Sequence, residues 1–229
     1  EICQRSGVTE IDASGLYGLV RGFVMAGGQS ARSALQSLVL AYGFEPLERD
    51  GTLVFRMRDG RVDAELGVDD VVQNDDGATL EFTRSADADT SGRIRVAYVE
   101  ADGDFETRAV EAILPDEEGG SAAGTELPLT LSRAQAQGTA ERWLAESRVA
   151  RDGAKFVLPP SLGRLSAGDV LSLATAEGTR RYRIDRAERA EAISVEAVRI
   201  EATVYEPSDE AEELATPKPY AAPIPVTPA

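Results

Sequence analysis

The side chains of this chain that could carry out chemistry are its carboxylates and one thiol, because the sequence contains no histidine. Without imidazole the chain cannot build a Ser-His-Asp or Cys-His catalytic site, a zinc site that needs histidine, or a histidine general base. It also contains no G-x-x-x-x-G-K-[ST] phosphate loop and no G-x-G-x-x-G motif after a strand. A paired-carboxylate mechanism remains, but the 40 acidic residues single out no pair. We therefore predict no enzyme, no cofactor, and no catalytic, cofactor-binding or metal-binding residue.

The chain contains one cysteine and an excess of acidic residues, and both limit its possible functions. Cys3 cannot form an intramolecular disulfide, and its apolar context favours a small buried side chain over a nucleophile. The acidic residues outnumber the 24 basic ones, which gives a formal charge of −16. This balance disfavours duplex DNA or an anionic membrane as a direct partner, and it also favours solubility. No stretch approaches the roughly 20 apolar residues that cross a bilayer, so we predict no membrane segment.

Residues 162–207 organise the chain, since they predict three strands separated by turns. The turn signals are Gly168-Asp169 and Glu177-Gly178. In the last strand the apolar positions change parity after residue 197, which predicts a β-bulge near Ala197-Val198. The strand is expected to continue to Val204. Such a bent, two-faced strand favours a small barrel or a strongly coiled sheet filled with side chains.

Residues 1–58 are predicted to form a helix-helix-hairpin unit. Ser30 is the predicted cap of a helix with apolar residues at helical spacing, and Gly43 is its predicted end. Arg49-Asp50-Gly51 predicts the turn of a hairpin between strands. Shorter elements are expected before them: the end of a helix at residues 2–7, a turn through Leu16, Leu19 and Val20 capped by Asp12-Ala13-Ser14, and a strand at residues 22–25.

Residues 59–206 are predicted to form a β-rich region with one helix near residues 132–152. Ser132 is the predicted cap of this helix, and Trp143 lies on its apolar stripe. We predict that Trp143 packs in the core; the alternative is a platform on which a sugar stacks. The other expected elements are a strand at 80–84, a hairpin of 94–98 with 105–114, a flexible acidic loop at 115–125, and a strand at 156–158.

The β-structure is expected as two units, one near residues 50–115 and one near 156–206, joined by the helix with Trp143. After Tyr205 the composition changes, because six of the eleven prolines lie between Pro207 and Pro228 among acidic residues. We interpret residues 207–229 as a linker to a following domain. This linker, and an opening of Glu1-Ile2-Cys3, lead us to expect an internal piece of a longer polypeptide.

Residues 2–58 carry a series of short sequence patterns. These are ICQRSG, D-x-S-x-L, V-x-GFV, QSARSALQSLVLAYGFE and ERDGTLVFRMR. The series resembles the tail hub proteins of long-tailed bacteriophages, and among them the large hub protein of gene transfer agents. Further similarities cover the rest of the chain: the hairpin from Tyr98 to Ala112, the helix with Trp143, the turn Ser166 to Val170, and the YRIDRAE strand.

The resemblance implies an α+β, β-rich fold, with small β-barrel-like hub domains and a few packed helices. It implies a structural, trimeric virion component at the tail tip or baseplate, located in a particle tail that assembles in the bacterial cytoplasm. The implied partners are further copies of the chain, the tail tube, distal tail proteins, and the tip, spike and receptor-binding proteins. DNA is expected to pass through without specific binding. The full-length family member is expected to carry a glycoside-hydrolase-like barrel before this region, and no hydrolase residue is transferred from it.

Two other classes of function remain open. One is a carbohydrate-recognising β-rich binding module attached to a larger protein that acts on cell walls, which exposed aromatic residues grouped in a shallow groove would favour. The other is an enzyme that uses paired carboxylates, which a substrate-sized cleft with two facing acidic side chains would favour.

Overall fold

The computed structural model describes residues 1–25, 27–72, 80–86, 91–102, 105–114 and 122–206. The fold is α+β and rich in strands, as predicted, with three α-helices and three sheets in the described residues. The helices are α1 (Ile2–Arg5), α2 (Ala31–Tyr42) and α3 (Arg133–Val149). The strands are β1 (Ile11–Gly15), β2 (Phe44–Arg49), β3 (Thr52–Met57), β4 (Ala64–Gly67), β5 (Leu80–Arg84), β6 (Arg93–Glu100), β7 (Thr107–Ile113), β8 (Ala122–Leu131), β9 (Asp152–Leu158), β10 (Val170–Thr175), β11 (Gly178–Arg189) and β12 (Ile193–Ile200).

The first sheet has the strand order β1-β3-β2, and α2 packs beside it. Ser30 caps α2 by accepting a hydrogen bond from the Ser33 backbone, and Gly43 ends the helix in the left-handed conformation at φ 65°. Both predictions are confirmed, as is the β2–β3 hairpin. Asp12-Ala13-Ser14 lie in β1, which was not predicted and which pairs in parallel with β3 through Ile11, Asp12 and Gly15. The predicted local hydrogen bonds are nevertheless present, since Asp12 Oδ1 accepts from the Ser14 backbone at 2.9 Å and the Leu16 amide donates to the Ala13 carbonyl at 3.1 Å.

The second sheet has the order β7-β6-β8, with α3 covering one face. Ile94, Val96 and Tyr98 point into this core, as the alternation of β6 predicts. Ser132 and Gln135 form a reciprocal capping box at the start of α3. The loop predicted at residues 115–125 is wrong at its end, since β8 begins at residue 122 and runs parallel to β6; residues 115–121 of this prediction lie outside the described residues. The short strand predicted at residues 22–25 is reduced to one bridge between Phe23 and Leu129.

The third sheet has six strands in the order β4-β10-β11-β12-β9-β5. The predicted division of the strands into one unit near 50–115 and another near 156–206 is therefore wrong, because β4 and β5 pair with the C-terminal strands. The expected barrel is also wrong for the described residues, since this sheet stays open. Its edge strands β4 and β5 do not pair with each other. Instead the chain crosses the open side: Val71 enters the core, and the Val72 amide donates to the Val157 carbonyl at 2.8 Å.

The bulge predicted near Ala197-Val198 of the last strand is wrong, because the extra residue lies on the neighbouring strand β11. The β11–β12 register shifts between Ile184 and Arg186, which pair with Ala197 and Glu196, so Asp185 is the extra residue. β12 ends at Ile200, short of the predicted Val204, and a 3-10 turn follows at Ala202–Tyr205. We call this turn with Glu206 the strap. The predicted linker at residues 207–229 lies outside the described residues.

Candidate functional surface: the junction between the sheets

A cluster of four arginines and four carboxylates lies where the first sheet meets the third sheet and α3. We call it the junction; its members are Glu45, Arg49, Arg56, Arg58, Asp63, Glu146, Asp169 and Arg183. These residues come from the β2–β3 hairpin, from α3, and from β11 and the turns beside β4 and β10. The cluster was not predicted from the sequence, because its members are scattered among 64 charged residues.

Asp169 is the most deeply buried carboxylate of the junction, at 4% exposure. Its Oδ1 accepts from Arg49 Nη2 at 2.6 Å, and its Oδ2 accepts from the Ser166 backbone at 2.8 Å. Asp63 acts in parallel, since it pairs with Arg56 and accepts from the Val170 backbone at 2.8 Å. Hydrogen bonds to charged groups are short and strong when both partners are held in place. The hairpin is thus fixed to the start of β10 through two carboxylates.

Arg58 and Arg183 form the other half of the junction by sharing Glu45. Both arginines contact Glu45 Oε1 at 2.9 Å, and Arg58 also donates to Glu146 of α3 at 3.1 Å. Burial alone would lower the pKa of Arg183, but Glu45 and Asp185 outweigh burial and the pKa is raised. Arg183 therefore stays charged, and the contact joins the first sheet, the third sheet and α3.

Arg142 connects α3 to the end of α2. Its Nη2 donates to the carbonyls of Leu40 at 2.6 Å and Ala41 at 2.9 Å, which are terminal carbonyls of α2 without a helical partner. Burial lowers the pKa of Arg142, with Glu146 opposing that change. These two hydrogen bonds tie the end of α2 to α3.

The strap closes one side of the junction. Gly60, at φ +68°, lies so near it that an added Cβ would be 3.0 Å from the Ala202 Cα. Tyr205 contributes to the wall between the junction and α3, and burial together with Glu146 raises its pKa to about 12. The last described residues are therefore packed against the centre of the molecule.

An apolar surface lies beside the junction. It comprises residues 16–25, which we call the apolar arm, and its exposed side chains are Tyr17 at 74%, Leu19 at 71%, Val24 at 66% and Val20 at 47%. The arm lines a cleft of about 750 Å³ together with parts of α2, α3 and the strap. Large apolar side chains grouped on a surface are a common mark of a protein contact site. This surface was not predicted, because Leu19 and Val20 were assigned to a short capped turn.

The side chains singled out in the sequence have clear positions. Cys3 is buried, as predicted. Trp143 packs against the core of the second sheet, as predicted, but it is only partly buried and also lines a cavity. Within the described residues, no group of three metal-ligating side chains comes together. Among the described helices, none combines the length and apolar character needed to cross a bilayer.

The comparisons with known proteins point to one group. The sequence model of a family described as "Putative phage tail protein" matches residues 30–187. A chain in the virion of a native gene transfer agent particle is 61% identical, with a TM-score of 0.89 over 93% of the present chain. The present chain covers 48% of that protein, so it spans about half of its length. Among curated protein sequences, none matches.

Two solved tail proteins have a similar fold at low identity. The tail protein from Neisseria meningitidis MC58 is 16% identical with a TM-score of 0.55, and the match covers 85% of the present chain and 62% of that chain. The 43 kDa tail protein of prophage MuSo2 from Shewanella oneidensis is 12% identical with a TM-score of 0.56, covering 89% and 64%. At this identity the likeness concerns the fold alone.

Proposed function

This chain belongs to the phage tail protein family whose model matches residues 30–187, and from that premise we propose that it is part of a tail-tip or baseplate hub. In this role it links the tail tube to the distal tip and spike of a phage-like particle. The observation that carries the proposal is the 61% identity to a chain of the gene transfer agent virion, over nearly the whole of this chain. The particle would assemble in the bacterial cytoplasm.

The junction supports a role in coupling neighbouring tail components. A coupling element must pass force between its neighbours without internal rearrangement, and the junction ties the hairpin, α3 and the six-stranded sheet through paired charges. Networks of this kind hold one arrangement strongly, since separating any partner leaves an unpaired charge. We propose a structural and not an enzymatic role, which the similarity to virion tail proteins supports.

We propose that the hub is a homotrimer and that the apolar arm takes part in its contacts. A chain with a formal charge of −16 repels its own copies, so association favours a surface with little charge. The arm meets this condition, because Arg21 is its one charged residue. The tail tube, distal tail proteins, and the tip, spike and receptor-binding proteins would bind other surfaces.

We propose further that the homotrimer forms a ring and lines the conduit through which DNA passes. Strong phosphate binding needs clustered positive charge, and net negative charge disfavours it. Acidic residues without basic neighbours lie in the sequence between strands, at Asp87, Asp89, Asp116, Glu117 and Glu118. The division into residues 1–58, 59–206 and a linker at 207–229 remains a proposal for how the chain is organised within the hub.

Labelling of intact particles tests the proposed location. Fab fragments raised against this chain are expected to bind at the distal end of the tail in electron micrographs. Binding to the capsid or along the tube would contradict the proposal. Fab fragments against the capsid and tube proteins serve as controls.

Mass measurement tests the trimer separately. The chain is expected to reach three times its 24.4 kDa as its concentration rises. Leu19→Asp should shift it toward the monomer, since a charge would enter the apolar arm. Val68→Asp is the matched control, because Val68 is also exposed but lies outside the arm. A wild-type chain that stays monomeric at all concentrations would contradict self-association by this chain and leave the labelling result unaffected.

A further inference from the structure

The cleft beside the apolar arm is lined by aromatic side chains. Its tyrosines come from three elements and are Tyr17 of the arm, Tyr42 of α2 and Tyr205 of the strap. Tyr17 is 74% exposed, and the Tyr42 hydroxyl donates to the Leu19 carbonyl of the arm at 3.2 Å. Grooves lined by aromatic residues are a common recognition surface for proline-rich segments in the polyproline II conformation. The cleft therefore has the composition of such a groove.

The wall that α3 contributes to the cleft is shallow. Ala134, Gly138 and Ala145 lie in this wall, and residues with small side chains let another chain approach the helix closely. Gly138 lies inside α3, where glycine is less favourable than alanine or leucine, so helix formation does not explain its presence. From Ala134 to Ala145 the wall extends about 17 Å along the helix axis.

The chain itself contains a proline-rich segment that follows the cleft in sequence. Glu206, the last described residue, lines the cleft. Residues 220–226, YAAPIPV, which we call the proline segment, come soon after it. In the polyproline II conformation this segment is about 19 Å long, which matches the wall of α3. The connection from Glu206 to Tyr220 can span up to about 45–50 Å, so the segment can reach the cleft of its own copy.

The charges of the cleft favour the same occupant. Lys218 is the only charged side chain in residues 214–228, and it comes just before the proline segment. Two exposed acidic residues line the cleft, Glu141 and Glu206, and their charge is complementary to that of Lys218. The arginines of the cleft already have partners in the described structure. An uncharged segment preceded by one lysine therefore suits this surface.

We propose that the proline segment binds in the cleft of its own copy, with Tyr220, Pro223 and Val226 against the tyrosines. These three residues recur at every third position, so they share one face of a polyproline II helix. Attachment to the same chain gives an effective concentration of about 1 mM, at which a weak contact is well occupied. Val20 and Val24 of the arm do not line the cleft and stay available for other copies. The proposal does not depend on the hub assignment.

Energy transfer from Trp143 tests the position of the segment in the full chain. Trp143 is the only tryptophan, and Cys3, the only cysteine, is buried. Ala222→Cys therefore adds one accessible thiol, which carries a dansyl label on a face other than that of Val226. We expect strong transfer that is the same at all dilutions. Transfer that appears only as the concentration rises would place the segment on another copy and overturn the proposal, whatever the mass measurement shows about the trimer.

Two substitutions in the segment provide a matched comparison. Val226→Asp puts a carboxylate on the face that contacts the cleft and should lower the transfer by about half or more. Thr227→Asp adds the same charge one residue later, outside that face, and should leave the transfer unchanged. Both positions lie beyond the packed residues, so the substitutions should not disturb the fold. Equal transfer in the two variants would overturn the proposal.

Two substitutions in α3 test the cleft itself. Gly138→Leu fills the shallow wall and should lower the transfer about as much as Val226→Asp does, because the segment loses its space. Leucine is a better helix former than glycine, so circular dichroism should show an intact fold. Gln137→Leu is the control, since Gln137 lies outside the cleft and donates to the Glu111 carbonyl. Transfer in Gly138→Leu as strong as in Gln137→Leu would overturn the proposal.

Discussion

The second sheet (β7-β6-β8) and the six-stranded third sheet bury their inner faces in different ways. The core of the second sheet includes helical residues, among them Ala136, Ala140 and Leu144 of α3. In the described residues, the core cluster of the six-stranded sheet contains no α-helical residue and is closed by connecting segments such as those of Val71 and Leu165. The helix-covered core follows from the order of the chain, because α3 comes directly after β8 of the same sheet. The core of the six-stranded sheet depends on strands brought together from residues 64 to 200.

This difference shows why the junction matters to both regions. The helix-covered core gains support from caps and periodic side chains near each other in sequence. The six-stranded core has no such local support, and its edge strands β4 and β5 are short. The junction connects the two, because Glu146 lies on α3 and Asp169 precedes β10.

The largest effect is expected from cavities in the two cores. Leu129→Ala and Leu171→Ala each remove a fully buried side chain, at 0% exposure, and should lower the free energy of unfolding by about 3–4 kcal/mol. The free energy of unfolding is measured in urea, followed both by Trp143 fluorescence and by far-ultraviolet circular dichroism. If the junction couples the sheets, the two probes should move together in each variant. Separate transitions in Leu171→Ala would mean that the six-stranded sheet unfolds independently.

A somewhat smaller loss is expected from breaking the junction. Asp169→Ala leaves Arg49 without its carboxylate and the Ser166 backbone without its acceptor. We expect a loss of about 2–3 kcal/mol, less than for a fully buried pair because the Arg49 side chain is 35% exposed. The two probes should then separate, in contrast to the leucine variants.

Glu196→Ala serves as the control for this experiment, because it breaks a solvent-exposed pair with Lys155. Its midpoint in urea should equal that of the native chain for both probes. A midpoint for Asp169→Ala as high as that of the control would contradict the importance given to the junction.

Disturbing the contact between Gly60 and the strap should cost less unfolding free energy than breaking the junction. Gly60→Ala would push a Cβ against Ala202 and strain a backbone at φ +68°, for a loss of about 2 kcal/mol. Gly7→Ala shares a positive φ of +83° but has no atom within 4 Å of the added Cβ, so it should lose only about 1 kcal/mol. The difference between the two thermal midpoints measures the strap contact. Equal midpoints would mean that the strap moves away from the added Cβ at no cost in stability.

The last effect is absent at neutral pH and appears only in alkali. The pKa of Tyr205 is raised from 10.0 to about 12, so the folded chain holds this proton more tightly than the unfolded chain. Its contribution to stability is complete below pH 10 and is lost as the pH rises from 10 to about 12. Tyr205→Phe should therefore flatten this part of the stability curve measured by urea unfolding. A curve with an unchanged slope would show that Tyr205 ionises as it does in water.

Elements governed by neighbours in the chain could be predicted from the sequence. Ser30 and Gly43 bound α2, Asp50-Gly51 turn the hairpin, and the alternation around Val96 sets the face of β6. In each case the deciding hydrogen bonds or side-chain directions are local, so a short window contains the whole cause. The resemblance to tail proteins rested on the same local patterns. The junction and the apolar arm carried no such signal.

The sequence by itself determined the excess of acid, the absence of imidazole chemistry, the caps of α2 and α3, and the β-rich character of the chain. Only the tertiary structure decided that β1 is a strand, that β8 starts at residue 122, that β4 and β5 join the last sheet, and that the sheet stays open. The physical reason is that strand pairing and buried ion pairs depend on partners distant in the chain. A carboxylate such as Asp169 acquires its role only when Arg49, 120 residues away, is brought beside it.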